Sequence, residues 1–180
     1  FLLIILLVYW VIETQAKPRI LEMTSETVVE TGNEAINSIM ANISHVDGLA
    51  KATSAMAGGL PKEDGLYRET FGNLMQQTDQ RIVGGGVWFD PNMYAQNRER
   101  QSFVWARDDA GNMQPLEQYN QVRQTPSPYY REWWYIPAMY ARHDHCVWSR
   151  AYVDPQSNQP MMTCAKALYD SRNQAFDGVV

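Results

Sequence analysis

Hydrophobic and polar positions follow three successive rhythms along this chain. Residues 1–12, FLLIILLVYWVI, are apolar almost without a break. From about Ile20 to Ala57 the rhythm is helical. Ile36, Ile39/Met40, Ile43, Val46, Ala50, Thr53 and Ala57 recur every three or four residues and mark one apolar stripe. Glu22, Glu26, Glu30 and Glu34, spaced by four, form a mildly self-repelling row that belongs on a solvated face. No proline interrupts 19–60, and Gly58-Gly59 followed by Pro61 is a stop signal. The predicted helix would be about 57 Å long, far beyond the usual globular length, and reads as a stalk.

After residue 60 the pattern shortens. Residues 61–80 predict a loop and a short helix that buries Leu66, Tyr67, Phe71, Leu74 and Met75. Ile82–Phe89 is a β-rich run around Gly84-Gly85-Gly86, closed by Asp90-Pro91-Asn92. Ser102–Arg107 predicts a second strand. Pro126 and Pro128 mark a loop before a short helix holding Trp133-Trp134-Tyr135. Cys146–Val153 and Met161–Tyr169 predict two strands joined by a turn at 154–158, and the last residues enter another strand. Together these elements predict an α+β fold, with a long N-terminal stalk helix (13–60) and an antiparallel sheet module (61–180).

The first twelve residues would rise only about 18 Å as a helix, whereas a bilayer core asks for about 20 apolar residues. They are the end of a transmembrane helix that begins upstream, the core of a secretory signal, or a buried core helix. Tyr9 and Trp10 favour the first, because such aromatics gather at the membrane–water interface. With 45% hydrophobic residues over 180 positions, the chain can build one sizeable core. Its net charge of −5 argues against a nucleic-acid partner, since phosphate binding relies on Lys/Arg-rich faces. Five of the six Trp and eight of the ten Tyr fall after residue 80, so the second part is the aromatic-rich one and the place to seek a site.

Candidate chemistry is sparse. The triple glycine lacks the Lys-Ser/Thr of a phosphate loop and reads as a close backbone approach. No dinucleotide, kinase or G-x-S-x-G pattern appears, so no cofactor and no catalytic residues are expected. His143, His145 and Cys146 lack a second ligand cluster, so no metal site is expected. If 146–153 and 161–169 form a simple hairpin centred near 157, Cys146 stands opposite about residue 167, and two buried thiols are expected rather than a bridge. The aromatic concentration is more informative. Trp133, Trp134, Tyr135, Trp148 and Tyr152 lie close together, with Arg131, Arg150 and Asp154 interleaved. An aromatic-walled pocket with a few fixed charges suits a small polar ligand, and Arg131 and Asp154 would complement a carboxylate and an amine.

Residues 83–90 (VGGGVWFD), 103–112 (FVWARDDAGN), 134–135 (WY), 148–154 (WSRAYVD), 161–169 (MMTCAKALY) and 176–180 (FDGVV) resemble, in order and spacing, the extracytoplasmic Cache sensor domains of bacterial membrane receptors. The resemblance implies a PAS-like module, related to the double-Cache type, that binds a small polar molecule, amine- or amino-acid-like in chemistry, outside the inner membrane. It implies a ligand pocket lined by Trp134, Tyr135, Tyr152 and Asp154, with Trp148 and Thr163 on flanking strands. In the amino-acid-binding members an Arg precedes the Trp-Tyr pair. Glu132 stands there if the pair is Trp134-Tyr135, and Arg131 if it is Trp133-Trp134. A second, membrane-proximal module, another transmembrane helix and a kinase, cyclase or chemoreceptor output are expected beyond residue 180, with a homodimer formed through the stalk. The rival expectation is a dimerisation spacer without a ligand of its own.

Overall fold

The computed structural model describes residues 2–121, 127–141, 146–153 and 160–180. The chain divides into two compact units, residues 1–44 and 45–180. The first holds α1 (Leu2–Val11), a π-helical turn (Ile12–Ala16) and the first part of α2 (Lys17–Gly59). Its side chains are largely exposed, including Ile36, Ile39, Met40 and the Glu22–Glu34 row. Among the described residues, no helix is long and apolar enough to cross a membrane.

The second unit begins with the last turns of α2, which end where Gly58-Gly59 predicts. Gly58 is required there, because a Cβ would sit 2.1 Å from the Tyr169 carbonyl oxygen. Ser54 Oγ donates to the Ala167 carbonyl at 3.0 Å, and Ser171 N to the Gly58 carbonyl at 2.9 Å. Next comes α3 (Asp64–Gln76), whose buried face is Tyr67, Phe71, Gly72 and Met75. Leu66 and Leu74 are half-buried.

One antiparallel sheet has the order β3-β2-β1-β9-β8. Its strands are β1 (Gly84–Phe89), β2 (Gln101–Arg107), β3 (Met113–Pro115), β8 (Ala167–Tyr169) and β9 (Phe176–Val179). On one face lies the main core of Tyr67, Phe71, Val87, Phe89, Phe103, Trp105 and Leu168. Tyr67 is its hub, with four aromatic rings at centroid distances of 5.0–5.7 Å and its hydroxyl donating to the Ala57 carbonyl at 2.6 Å. Strand alternation sends Trp88 to the other face. There it joins the cluster of Tyr129, Tyr135, Ala138, Ala165 and Val179 around α4 (Tyr135–Tyr140).

The triple glycine is a close backbone approach, as expected. A Cβ on Gly84 would lie 2.6 Å from the Trp105 carbonyl oxygen, and one on Gly86 2.1 Å from that of Phe103. Strand β3 escapes the sequence pattern because three residues carry too little alternation to register.

The two long strands expected at 146–153 and 161–169 are a correction. They break into β4 (Val147–Trp148) paired with β7 (Cys164–Ala165), and β5 (Tyr152–Val153) paired with β6 (Pro160–Met161), with β8 leaving to join the main sheet. Trp148 pairs with Cys164 and Tyr152 with Met161. The residues 149–151 therefore stand opposite only 162–163, a one-residue mismatch of the kind that bends a ribbon.

That register also overturns the expectation of two free thiols, because Cys146 and Cys164 form a disulfide. Cys146 lies two residues before Trp148, the partner of Cys164, so the cysteines are diagonal neighbours on one face of the ribbon. Their Cα atoms are 5.5 Å apart, inside the range a bridge requires. The hairpin assumed from the sequence was displaced by the mismatch.

Candidate ligand-binding site: an aromatic cavity beside the disulfide

Four aromatic residues from 133–152 close around a cavity of about 400 Å³, lined by Trp133, Trp134, Pro137, Val147, Trp148, Ser149, Arg150, Tyr152 and Thr163. Its walls come from two places. One is the turn leading into α4, where Tyr135 N and Ile136 N donate to the Glu132 carbonyl at 3.1 and 3.3 Å and so present Trp133 and Trp134 together. Pro137 is tolerated in the first turn of α4, where backbone donors have no helical partner to lose.

The other wall is the bulged ribbon. Ser149 N donates to the Thr163 carbonyl, and Thr163 N donates to Ser149 Oγ, both at 2.8 Å. This reciprocal pair holds the mismatch in place. The Tyr152 hydroxyl lies 2.8 Å from Thr163 Oγ1 and donates to Met161 Sδ at 3.1 Å. The Trp133 ring stands edge-on to Tyr152 at 5.2 Å, so the two walls touch through an aromatic contact, and Trp134 rests on Trp88 of β1 at 5.0 Å.

Five of the eight residues singled out from the sequence line this cavity: Trp133, Trp134, Trp148, Tyr152 and Thr163. Tyr135 does not. It is fully buried below the wall, donating to Asp90 Oδ1 at 3.0 Å, and burial pushes the ionisation of both the phenol and the Asp90 carboxyl upward. Arg131 ends a short 3-10 turn (Tyr129–Arg131) and is exposed without lining the cavity. The Tyr129 hydroxyl anchors that turn, donating to the Phe89 carbonyl at 2.6 Å and accepting from Gln101 N at 2.9 Å. Asp154, His143 and His145 lie outside the described residues.

Sequence reasoning left out Pro137, Val147 and Ser149, and kept Arg150 only as an interleaved charge. The signal for Pro137 was present, since it follows Trp133 and Trp134 by one helical turn. None was present for Ser149, whose place in the wall depends on the bulge.

Behind the ribbon, the Asp47 carboxylate of α2 lies against the bridge, within 4.8 Å of the Cys146 and Cys164 sulfurs. Asp47 also holds Lys51 Nζ at 2.6 Å, and the Lys51 contact keeps its carboxyl below the usual range. Asp47, Cys146 and Cys164 have their ligand atoms within 4.8 Å of one another, but the two sulfurs are spent on each other.

Among known proteins, the family model described as methyl-accepting chemotaxis protein-like, first PDC sensor domain, matches residues 69–180, more than half of this chain. The solved ligand-binding domain of the Campylobacter jejuni chemoreceptor Tlp3 in complex with L-valine is similar with a TM-score of 0.51. The two are 17% identical, over 78% of this chain and 51% of that one. The ligand-binding domain of Mlp24 with asparagine gives a TM-score of 0.51 at 15% identity, over 92% of this chain and 58% of that one. At these identities the likeness is one of fold, and the chain spans between half and three-fifths of its neighbours' length. No curated protein matches the chain in sequence.

Proposed function

This chain belongs to the methyl-accepting chemotaxis protein-like family of first PDC sensor domains, and we propose on that premise that it is the extracytoplasmic ligand-sensing module of a bacterial inner-membrane receptor. It takes a small, amino-acid-like molecule into the cavity between the Trp133-Trp134 turn and the bulged ribbon. The observation that carries this reading is the cavity itself. Its volume, about 400 Å³, falls in the range of small-molecule pockets, and its wall combines aromatic faces with a few polar groups. The solved complexes of Tlp3 with L-valine and of Mlp24 with asparagine support an amino acid as the first class to test. Asp154 is the proposed partner of a ligand amine.

Occupancy passes to α2. The ribbon that supplies Val147 and Trp148 meets that helix where the Cys146–Cys164 bridge lies against Asp47, so a ligand that prefers one ribbon position shifts the helix population with it. Residues 1–12 anchor the module as the end of a membrane helix, and the exposed stripe of α2 around Ile36 and Met40 pairs it with a second copy. The output is a chemoreceptor rod, a histidine kinase or a diguanylate cyclase.

A thermal-shift panel of amino acids, organic acids, amines and purines tests the reading. A bound ligand raises the melting temperature by mass action. The expected result is a rise for one chemical class that is lost in Trp134→Ala and Trp148→Ala. No shift with any compound, on a folded domain, would make the module a spacer instead.

A further inference from the structure

The cavity wall carries one formal charge among the described residues, that of Arg150. The other described lining groups are aromatic, aliphatic or neutral polar. Among the described residues no hydrogen bond or ion pair engages the Arg150 guanidinium, whereas Arg68, Arg81, Arg98, Arg107 and Arg172 are all paired or hydrogen-bonded. An arginine beside an aromatic pocket with its donors unspent is poised for a planar anion, because its fork matches the two oxygens of a carboxylate.

The same charge separates a ligand that carries a carboxylate from one whose only charge is positive. Three indole rings around a cavity also suit a cation held on their faces, but a fixed guanidinium in the wall repels a cation placed near it. The remainder of the cavity restricts the ligand further. Trp133, Trp134, Pro137, Val147 and Trp148 offer apolar surface. Tyr152 and Thr163 offer a hydroxyl pair whose spare hydrogen rests on a thioether sulfur, a weak acceptor that a ligand oxygen displaces easily.

We propose that Arg150 is the specificity-determining residue of this cavity and selects ligands with a free carboxylate joined to an apolar body. This rests on the ligand-sensing function proposed above.

The test is titration calorimetry on the full chain in mild detergent. L-Valine, L-isoleucine and L-leucine are each compared with their C-terminal amides, on the native chain and on Arg150→Gln and Arg150→Lys. The expected result is binding of at least one free acid, at least a tenfold loss on conversion to its amide, and a similar loss in Arg150→Gln. Arg150→Lys should recover part of the affinity. Melting temperatures of the variants serve as the folding control, and because Arg150 is exposed and has no partner among the described residues they should match the native chain. An amide that binds as tightly as its acid, or an Arg150→Gln variant with native affinity, overturns the assignment while leaving the cavity as a binding site. If no acid and no amide binds the folded native chain, the assignment of Arg150 falls, while the ligand-sensing reading falls only if the wider thermal-shift panel is silent as well.

Discussion

Replacing both Cys146 and Cys164 by serine separates the stability of the ribbon from that of the sheet. The bridge joins positions 18 residues apart. The chain-entropy model, with a loop of that length, gives the denatured state back about 11 cal/mol/K, or about 3 kcal/mol at 25 °C. Against a total of roughly 5–15 kcal/mol for a domain, that is a large share. If it were felt by the whole fold, the melting temperature would fall by about 10 °C.

The structure directs the loss elsewhere. The pairs β4–β7 and β5–β6 have two-residue ladders and lie outside the main sheet, and a two-stranded ribbon of that size is marginal alone. The main core of Tyr67, Phe71, Phe89 and Phe103 does not include it. The expected outcome is therefore a smaller drop in the main melting transition and a local opening of the ribbon. It is read as faster amide exchange at Ser149 and Thr163, whose N–H groups are held by each other's residues. The assay is thermal denaturation alongside site-resolved hydrogen exchange on the native and double-serine chains. Unchanged exchange at these two amides, with a melting temperature within about 1 °C of native, would refute the reasoning and show that the ribbon is held without the bridge.

Other outcomes follow from single sites. Gly86→Ala places a Cβ 2.1 Å from the Phe103 carbonyl oxygen and should cost more than about 3 kcal/mol in chemical denaturation, or prevent folding. Gly48→Ala on α2, where a Cβ meets nothing within 4 Å, should be neutral or stabilise by up to about 1 kcal/mol. Lys62→Ala strips a buried carboxylate of its partner, since Asp177 is 1% exposed and Lys62 Nζ lies 2.6 Å from its Oδ1. About 3 kcal/mol should be lost near pH 7.5. Burial already pushes the Asp177 carboxyl up, with Lys62 pulling it down, and the variant raises it further. A carboxyl raised in the folded state stabilises below its unfolded value and loses that contribution as pH climbs through the folded one. The Lys62→Ala deficit should therefore shrink toward pH 4. Equal deficits at both pH values would assign the role of Lys62 to its bond with the Met93 carbonyl instead.

What could be read from the residues alone was whatever is local or periodic. The stop of α2 at Gly58-Gly59, the buried face of α3 at Tyr67, Phe71 and Met75, and strands β1 and β2 all follow from spacing and from residues with one strong backbone preference. The α+β class and the concentration of aromatic residues around the cavity were legible for the same reason. Trp133, Trp134, Trp148 and Tyr152 are near one another in sequence, and indole and phenol rings gather wherever apolar area is buried. Tertiary structure decided what depends on register. Three residues (149–151) opposite two (162–163), between the Trp148–Cys164 and Tyr152–Met161 pairs, brought Cys146 diagonally beside Cys164 and put Ser149 into the wall. It also separated neighbours in sequence, sending Trp134 into the cavity and burying Tyr135 beneath it on Asp90. A one-residue slip changes which face every following side chain occupies, and no local preference of serine, arginine or cysteine records where that slip falls.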